Sequence, residues 1–260
     1  MLRDGKEIKL SVNGDCHNRN HEESAACASG NGRRKRLEPQ DASLADLQRM
    51  IARFAPTEIR VDTSSLSAGD QKALVKLIEA SRIVNTIFLT QLWSGNLALM
   101  AQLEKDSAPL GKARLHYFWI NKGPWSDLDG HAAFLPGVPP KKLPGANFYP
   151  PDMTKDEFES WVKGLPERQR KDAEGFFTVI VRDNARRLQA LPYSKAYQKE
   201  IEQAAGLLRE AAGLTGNETL RKFLTLRADA FLSNDYYASD VAWMDLDAPL
   251  DVTVGPLRDL

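Results

Sequence analysis

Apolar residues first fall into helical register at Leu44, Leu47, Met50, Ile51 and Phe54. Ser43 stands just before them and Asp46 three residues later. That is the spacing at which a cap hydroxyl and a first-turn carboxylate satisfy each other's backbone N–H groups. The pattern predicts a helix that starts at Ser43 and is ended by Pro56. Glu58-Ile-Arg-Val-Asp62 alternates polar and apolar positions, as a short strand or an extended segment does. Ser67-Ala-Gly-Asp70 then opens the widest apolar face of the chain, led by Leu74, Leu77, Ile78, Ile83, Val84 and Ile87 and continuing to Trp93. A face this wide has to be buried against other helices. Gly95-Asn96 breaks it, and an amphipathic piece follows from Leu97 to Leu103.

Leu115-His-Tyr-Phe-Trp-Ile120 is short, aromatic and apolar, and periodicity alone fits a strand or a buried helix. His116 in this run is expected to be packed. Residues 121–152 concentrate proline and glycine, ending in Pro144-Gly-Ala-Asn-Phe-Tyr-Pro-Pro151, which argues against regular structure and for a loop that covers a core edge or walls a cleft. Asp152 or Thr154 caps the next helix, whose first turn carries Asp156 and Glu157. Phe176 to Val181 is β-branched and aromatic and predicts a strand. Tyr193 to Tyr197 leads into a helix through Leu208 with Gly213 and Gly216 as stop signals, and Thr219 to Leu232 predicts the last long helix. No repeat or linker divides residues 43–256.

Charged residues make up 27% and hydrophobic residues 42% of the 260 positions, with zero formal net charge. A neutral chain lacks the electrostatic footprint of a nucleic-acid or anionic-membrane binder. No apolar run approaches the about 18 residues of a membrane span, and no h-region marks a secretory signal, so a cytoplasmic location is expected, with the periplasm as the alternative. Residues 1–36 are polar and without periodicity and are expected to be a disordered head, with Arg33-Arg34-Lys35-Arg36 a solvated basic run. Cys16, His17, His21 and Cys27 form the one His/Cys cluster, but no helical face organises them and adventitious metal binding is the expectation. His131 has no visible partner ligand. Asp245, Asp247 and Asp251 lack the spacing and glycine of a calcium loop and are expected to be exposed acids. Neither a nucleophile elbow nor a phosphate loop is present.

Three blocks resemble the dipeptidyl peptidase III family of zinc metallopeptidases, in its bacterial branch and in plant proteins that also carry a Nudix domain. They are Arg53-Phe-Ala-Pro-Thr-Glu-Ile-Arg-Val-Asp62 with the Ser-Ala-Gly-Asp helix start, Pro144 to Met153, and Ser233-Asn-Asp-Tyr-Tyr-Ala-Ser-Asp-Val-Ala-Trp-Met-Asp245. The resemblance covers most of residues 45–256 and implies the N-terminal portion of such an enzyme, ending before the zinc-binding helix His-Glu-x-x-Gly-His. The Nudix box is absent. The family's Gly-Pro is followed by a Tyr-Glu-Thr-Tyr-like run, whereas Gly255-Pro256 is followed here by Leu257-Arg-Asp-Leu260, so a truncated chain or a changed reading frame is expected.

The resemblance implies an α+β fold, mainly α with some β, forming one lobe or part of two lobes around a wide cleft, with residues 37–260 as one region. It implies peptides with a free N-terminus as partners, neither nucleic acid nor membrane, and Asn234, Asp235, Tyr236, Tyr237 and Asp240 as the wall that holds the peptide's amine. A carboxylate pairs with an ammonium, and Asn or Tyr orients it. Zinc belongs to complete family members; no catalytic residue and no metal ligand is expected within this chain, which is expected to be inactive alone. A non-catalytic helical peptide-binding or scaffold protein derived from that family is the alternative. Apolar surface left uncovered by missing chain is expected to drive self-association.

Overall fold

The computed structural model describes residues 42–255. The 1–36 head, its Cys16/His17/His21/Cys27 cluster, its basic run and Leu257–Leu260 lie outside the described residues. In chain order the elements are α1 (Leu44–Ile51), α2 (Ala68–Leu92), α3 (Asn96–Leu103), α4 (Pro109–Asn121), β1 (Trp125–Ser126), a 3-10 turn (Asp127–Asp129), β2 (Ala132–Ala133), α5 (Lys155–Lys163), α6 (Glu167–Ala173), β3 (Thr178–Arg182), β4 (Leu188–Pro192), α7 (Tyr193–Ala196), α8 (Gln198–Leu214), α9 (Glu218–Ser233) and α10 (Tyr237–Met244). The fold is α+β, dominated by helices, and its contacts divide into two units, residues 63–101 with 143–255 and residues 42–62 with 102–142. Among the described residues no helix is long and apolar enough to cross a membrane.

In the smaller unit α1 packs on α4. The Ser43 side chain and Asp46 form the capping box that their spacing predicts. The helix stops at Ile51, before Pro56, because the chain tightens into a turn in which the Phe54 N–H donates to the Ile51 carbonyl at 3.0 Å. Leu115–Ile120 is helix: Pro109 starts α4, and the run places fully buried Tyr117 and Phe118 on its inner side and His116 in solvent, contrary to the packed histidine expected. Arg53 ties the unit together, donating to Asp129 at 2.6 and 2.9 Å and to the Tyr117 hydroxyl at 2.9 Å. The 121–152 segment is not wholly irregular, since β1 and β2 pair antiparallel within it. Glu58–Asp62 is extended and pairs with no strand among the described residues.

In the larger unit α2, α8 and α9 pack side by side, with α10 on α9. Small residues are fully buried on α2 and α8, among them Ala73, Ala80, Ala204, Ala205 and Ala211. The two helices approach closely at Gly69, where a Cβ would sit 2.5 Å from the Leu214 carbonyl oxygen. Buried Asp70 joins the two helices, accepting from the Thr215 hydroxyl at 2.6 Å and from Ser67 at 2.7 Å. These bonds, Thr215 first, hold its carboxyl below the usual range against the opposing effect of burial. Leu208, Leu220, Phe223 and Phe231 fill the centre, and each such side chain contributes roughly 1.5–3 kcal/mol by leaving water. α8 runs through Gly213 and is capped at Thr215. Besides β1 and β2, the elements α6, β4 and α10 escape the hydrophobic pattern.

Candidate peptide-binding site

The five residues assigned to an amine-holding wall sit where α9 turns into α10, and the structure divides them. Asn234 ends α9 with a φ of 66°, a left-handed cap conformation that Asn tolerates. Its amide donates to the Phe177 carbonyl at 3.1 Å, which pins the cap to the chain entering β3. Tyr236 is 5% exposed and its ring stacks on Phe177 with centroids 4.4 Å apart. Burial pushes its phenol well above the ordinary value, and its hydroxyl has no hydrogen-bond partner among the described residues. Asp240 accepts from the buried Arg227 guanidinium at 2.6 Å, and that guanidinium also lies over the Tyr236 ring at 5.4 Å. Asn234, Tyr236 and Asp240 therefore make internal contacts. The Asp235 carboxylate and the Tyr237 ring face solvent; Asp235 accepts from the Tyr237 N–H at 3.2 Å.

Two grooves of the same unit lie elsewhere. The first, about 500 Å³, runs between the 147–152 segment and β3, lined by Asn147, Tyr149, Pro150, Val179, Val181 and Tyr197. Asn147 anchors this wall at the end of α2, where helix carbonyls lack intrahelical partners: its N–H donates to the Gln91 carbonyl at 2.8 Å and its side chain to that of Thr90 at 2.9 Å. The Ile180 N–H donates to the Phe148 carbonyl at 2.8 Å and fixes the other side. Gly145, at a φ of 75°, makes the turn into the wall; a Cβ there would meet the Tyr149 ring at 2.8 Å.

The second groove, about 650 Å³, lies beside the β3–β4 turn, with Trp161, Arg186 and Gln189 in its lining. Arg182, at the end of β3, lines both grooves. It forks onto Glu157 through two bonds of 2.9 Å and reaches Asp152 at 3.1 Å. Arg186 meets the other Asp152 oxygen at 3.1 Å. The pairing, Arg182 first, holds both carboxyls below their usual range and raises the guanidinium further. Asp152 is thus an ion-pair partner, and Thr154 caps α5 by accepting from the Glu157 N–H at 3.1 Å. Sequence reasoning missed Arg182 and Arg186, because nothing local marks partners 25 to 34 positions apart.

Among the described residues no three His, Cys, Asp or Glu side chains come together as a metal-ligand set, so these residues do not fit a catalytic zinc, which needs three converging ligands. His131 is paired with Asp127 at 3.0 Å.

No family model matches the chain. Its sequence is 38% identical to a protein of Arabidopsis thaliana named Nudix hydrolase 3, over 83% of this chain and 34% of that protein. Among solved structures it is similar to dipeptidyl-peptidase III from Corallococcus sp. strain EGB, at 51% identity and a TM-score of 0.79, over 83% of this chain and 40% of that one. It is also similar to DPP III from Caldithrix abyssi, at 46% identity and a TM-score of 0.75, over 80% of this chain and 39% of that one. The chain spans about two-fifths of the length of these solved relatives. With the three sequence blocks, the α+β fold and this identity in agreement, the chain belongs to the dipeptidyl peptidase III family, of whose length it represents a part.

Proposed function

We propose that this chain is the peptide-holding portion of a dipeptidyl peptidase III-type zinc peptidase and does not cleave peptides by itself. The observation that carries the reading is the 51% identity to a solved dipeptidyl-peptidase III across 83% of this chain, matched to only 40% of that one. Complete enzymes of this type release dipeptides from peptide N-termini by attack of a zinc-activated water. The zinc-binding His-Glu-x-x-Gly-His motif is absent from the 260 residues, so no step of hydrolysis is assigned to any residue here.

In this reading the 234–240 segment receives the free amine. Asp235 is the carboxylate open to an incoming ammonium, Asp240 is engaged by Arg227, and Asn234 and Tyr236 hold the segment in place. Tyr237 supplies an exposed ring at the rim. The groove between 147–152 and β3 supplies an aromatic and proline-rich surface for an extended chain. That groove also favours a second reading, a peptide-binding protein without catalysis.

Two measurements test the proposal. The purified chain with zinc releases nothing from a chromogenic dipeptidyl substrate beyond the zinc control; zinc-dependent turnover sinks the inert part. Calorimetric titration with a pentapeptide and its N-acetylated form is expected to favour the free amine by about tenfold, the scale of one charge-assisted pair. Asp235→Asn removes that preference. Equal affinity for both peptides removes the amine-holding role.

A further inference from the structure

α10 is built inside out. Its arc against α9 carries small residues, Ser239 and Ala242, 1% and 2% exposed. Tyr237, Val241 and Met244 follow at i, i+4 and i+7, which places them on one stripe of the opposite arc. They are 78%, 41% and 79% exposed, and Trp243 is 42% exposed. Four of the eight exposed large hydrophobic side chains among the described residues therefore fall within this one helix. A surface helix normally turns its large apolar residues inward, and a stripe of this kind in water marks a contact surface. Acids surround it: Asp235, Asp245 and Asp247 are exposed, and the Asp240 side chain is 60% exposed despite its pair with Arg227.

We propose that this face docks the part of the dipeptidyl peptidase III chain that these 260 residues do not span, through an apolar patch bordered by Lys or Arg. The Corallococcus enzyme is matched over 40% of its length, so the unmatched portion is larger than the matched one. The acidic border selects a basic rim on the occupant. It also disfavours a second copy of this chain, because a two-fold contact of the stripe with itself brings the acids of both copies together. Tyr237, at the start of the stripe, borders both this contact and the amine site. The inference rests on family membership and not on peptide cleavage, so an inactive assembly and an undocked helix are separate results.

Met244 reports the contact directly, since a thioether in solvent is oxidised by hydrogen peroxide to the sulfoxide and a covered one is protected. The rate is followed by mass spectrometry in the 260-residue chain and in a chimera whose matched region in the Corallococcus enzyme is replaced by residues 42–255. The expected result is oxidation at least about tenfold slower in the chimera. Rates within twofold, in a chimera with a cooperative melt, overturn the proposal. So does protection in the free chain that grows with its concentration, which makes a second copy the occupant. If the chimera does not fold, amide exchange decides, measured in this chain and in the intact Corallococcus enzyme. Exchange in the segment matching α10 is divided by that of the segment matching α9. Docking slows this ratio at least about tenfold in the intact enzyme; equal ratios overturn it.

Discussion

Tyr236→Phe removes one oxygen atom and leaves the ring. The ring is 5% exposed, stacks on Phe177 at 4.4 Å, tilts against Phe231 at 6.2 Å and sits under Arg227 at 5.4 Å, and none of these contacts needs the hydroxyl. The hydroxyl itself is buried without a hydrogen-bond partner among the described residues. An unpaired buried hydroxyl costs about 1–3 kcal/mol. Deleting it loses no bond, so Tyr236→Phe is expected to gain about 1 kcal/mol, or about 2–4 °C in Tm for a chain of this size. Tyr236→Ala, which empties the ring site, is expected to lose about 3–5 kcal/mol.

Alkaline pH separates the cause. Burial raises the folded-state phenol above its ordinary value of about 10, so the native state keeps a proton that the unfolded chain releases. Stability from this group is complete below about pH 10 and falls as pH rises beyond it. Tyr236→Phe lacks that loss, and its advantage over the parent is expected to widen above pH 10. Urea melts followed by tryptophan fluorescence, from pH 7 to 10.5, give both quantities, with an unchanged m-value. A loss of 1 kcal/mol or more at pH 7, on the scale of one hydrogen bond, refutes the reasoning, because it means that the hydroxyl is bonded.

Arg182→Gln releases Asp152 and Glu157, which the guanidinium holds below their usual range. Carboxyls with lowered values stabilise above their unfolded value of about 4 and lose that contribution as pH falls, so the parent's Tm is expected to drop from pH 5 to 3 while the variant's, lower at pH 7, changes less. Asn234→Ala loses both the left-handed cap and the bond to Phe177 and is expected to cost about 1 kcal/mol, whereas Asn234→Gly keeps the backbone conformation and costs less; equal losses in thermal melts would assign the effect to the amide bond alone. Thr215→Val strips a buried carboxylate of its α8 donor and is expected to cost about 1.5–3 kcal/mol, read by chemical denaturation; a neutral result would mean that Ser67 alone satisfies Asp70.

Helix starts were legible in the sequence where a polar cap precedes an apolar period. Ser43 and Ser67 each accept the backbone N–H that their spacing assigns, Thr154 is the member of the Asp152/Thr154 alternative that caps α5, and the Asn217 cap of α9 went unread. β4 was not legible, because Leu188-Gln-Ala-Leu-Pro192 has little strand preference and becomes a strand only by pairing with β3. α10 stayed hidden for the opposite reason: its apolar stripe points away from the core, so period and burial disagree. The candidate site divides in the same way. The 234–240 cluster was visible as a run of polar and aromatic residues, but which of its members face solvent depends on Phe177, distant in sequence, and on Arg227 of the neighbouring helix, both brought there by packing. Arg182 had no local signal at all, since an ion pair across 25 positions is made by the fold and leaves no period in the chain. Local propensity, capping and the family blocks are properties of neighbouring residues, and the sequence by itself determined those. Which charges meet, which strand pairs and which apolar face is left for another surface are set by long-range contacts that exist only once the helices have packed.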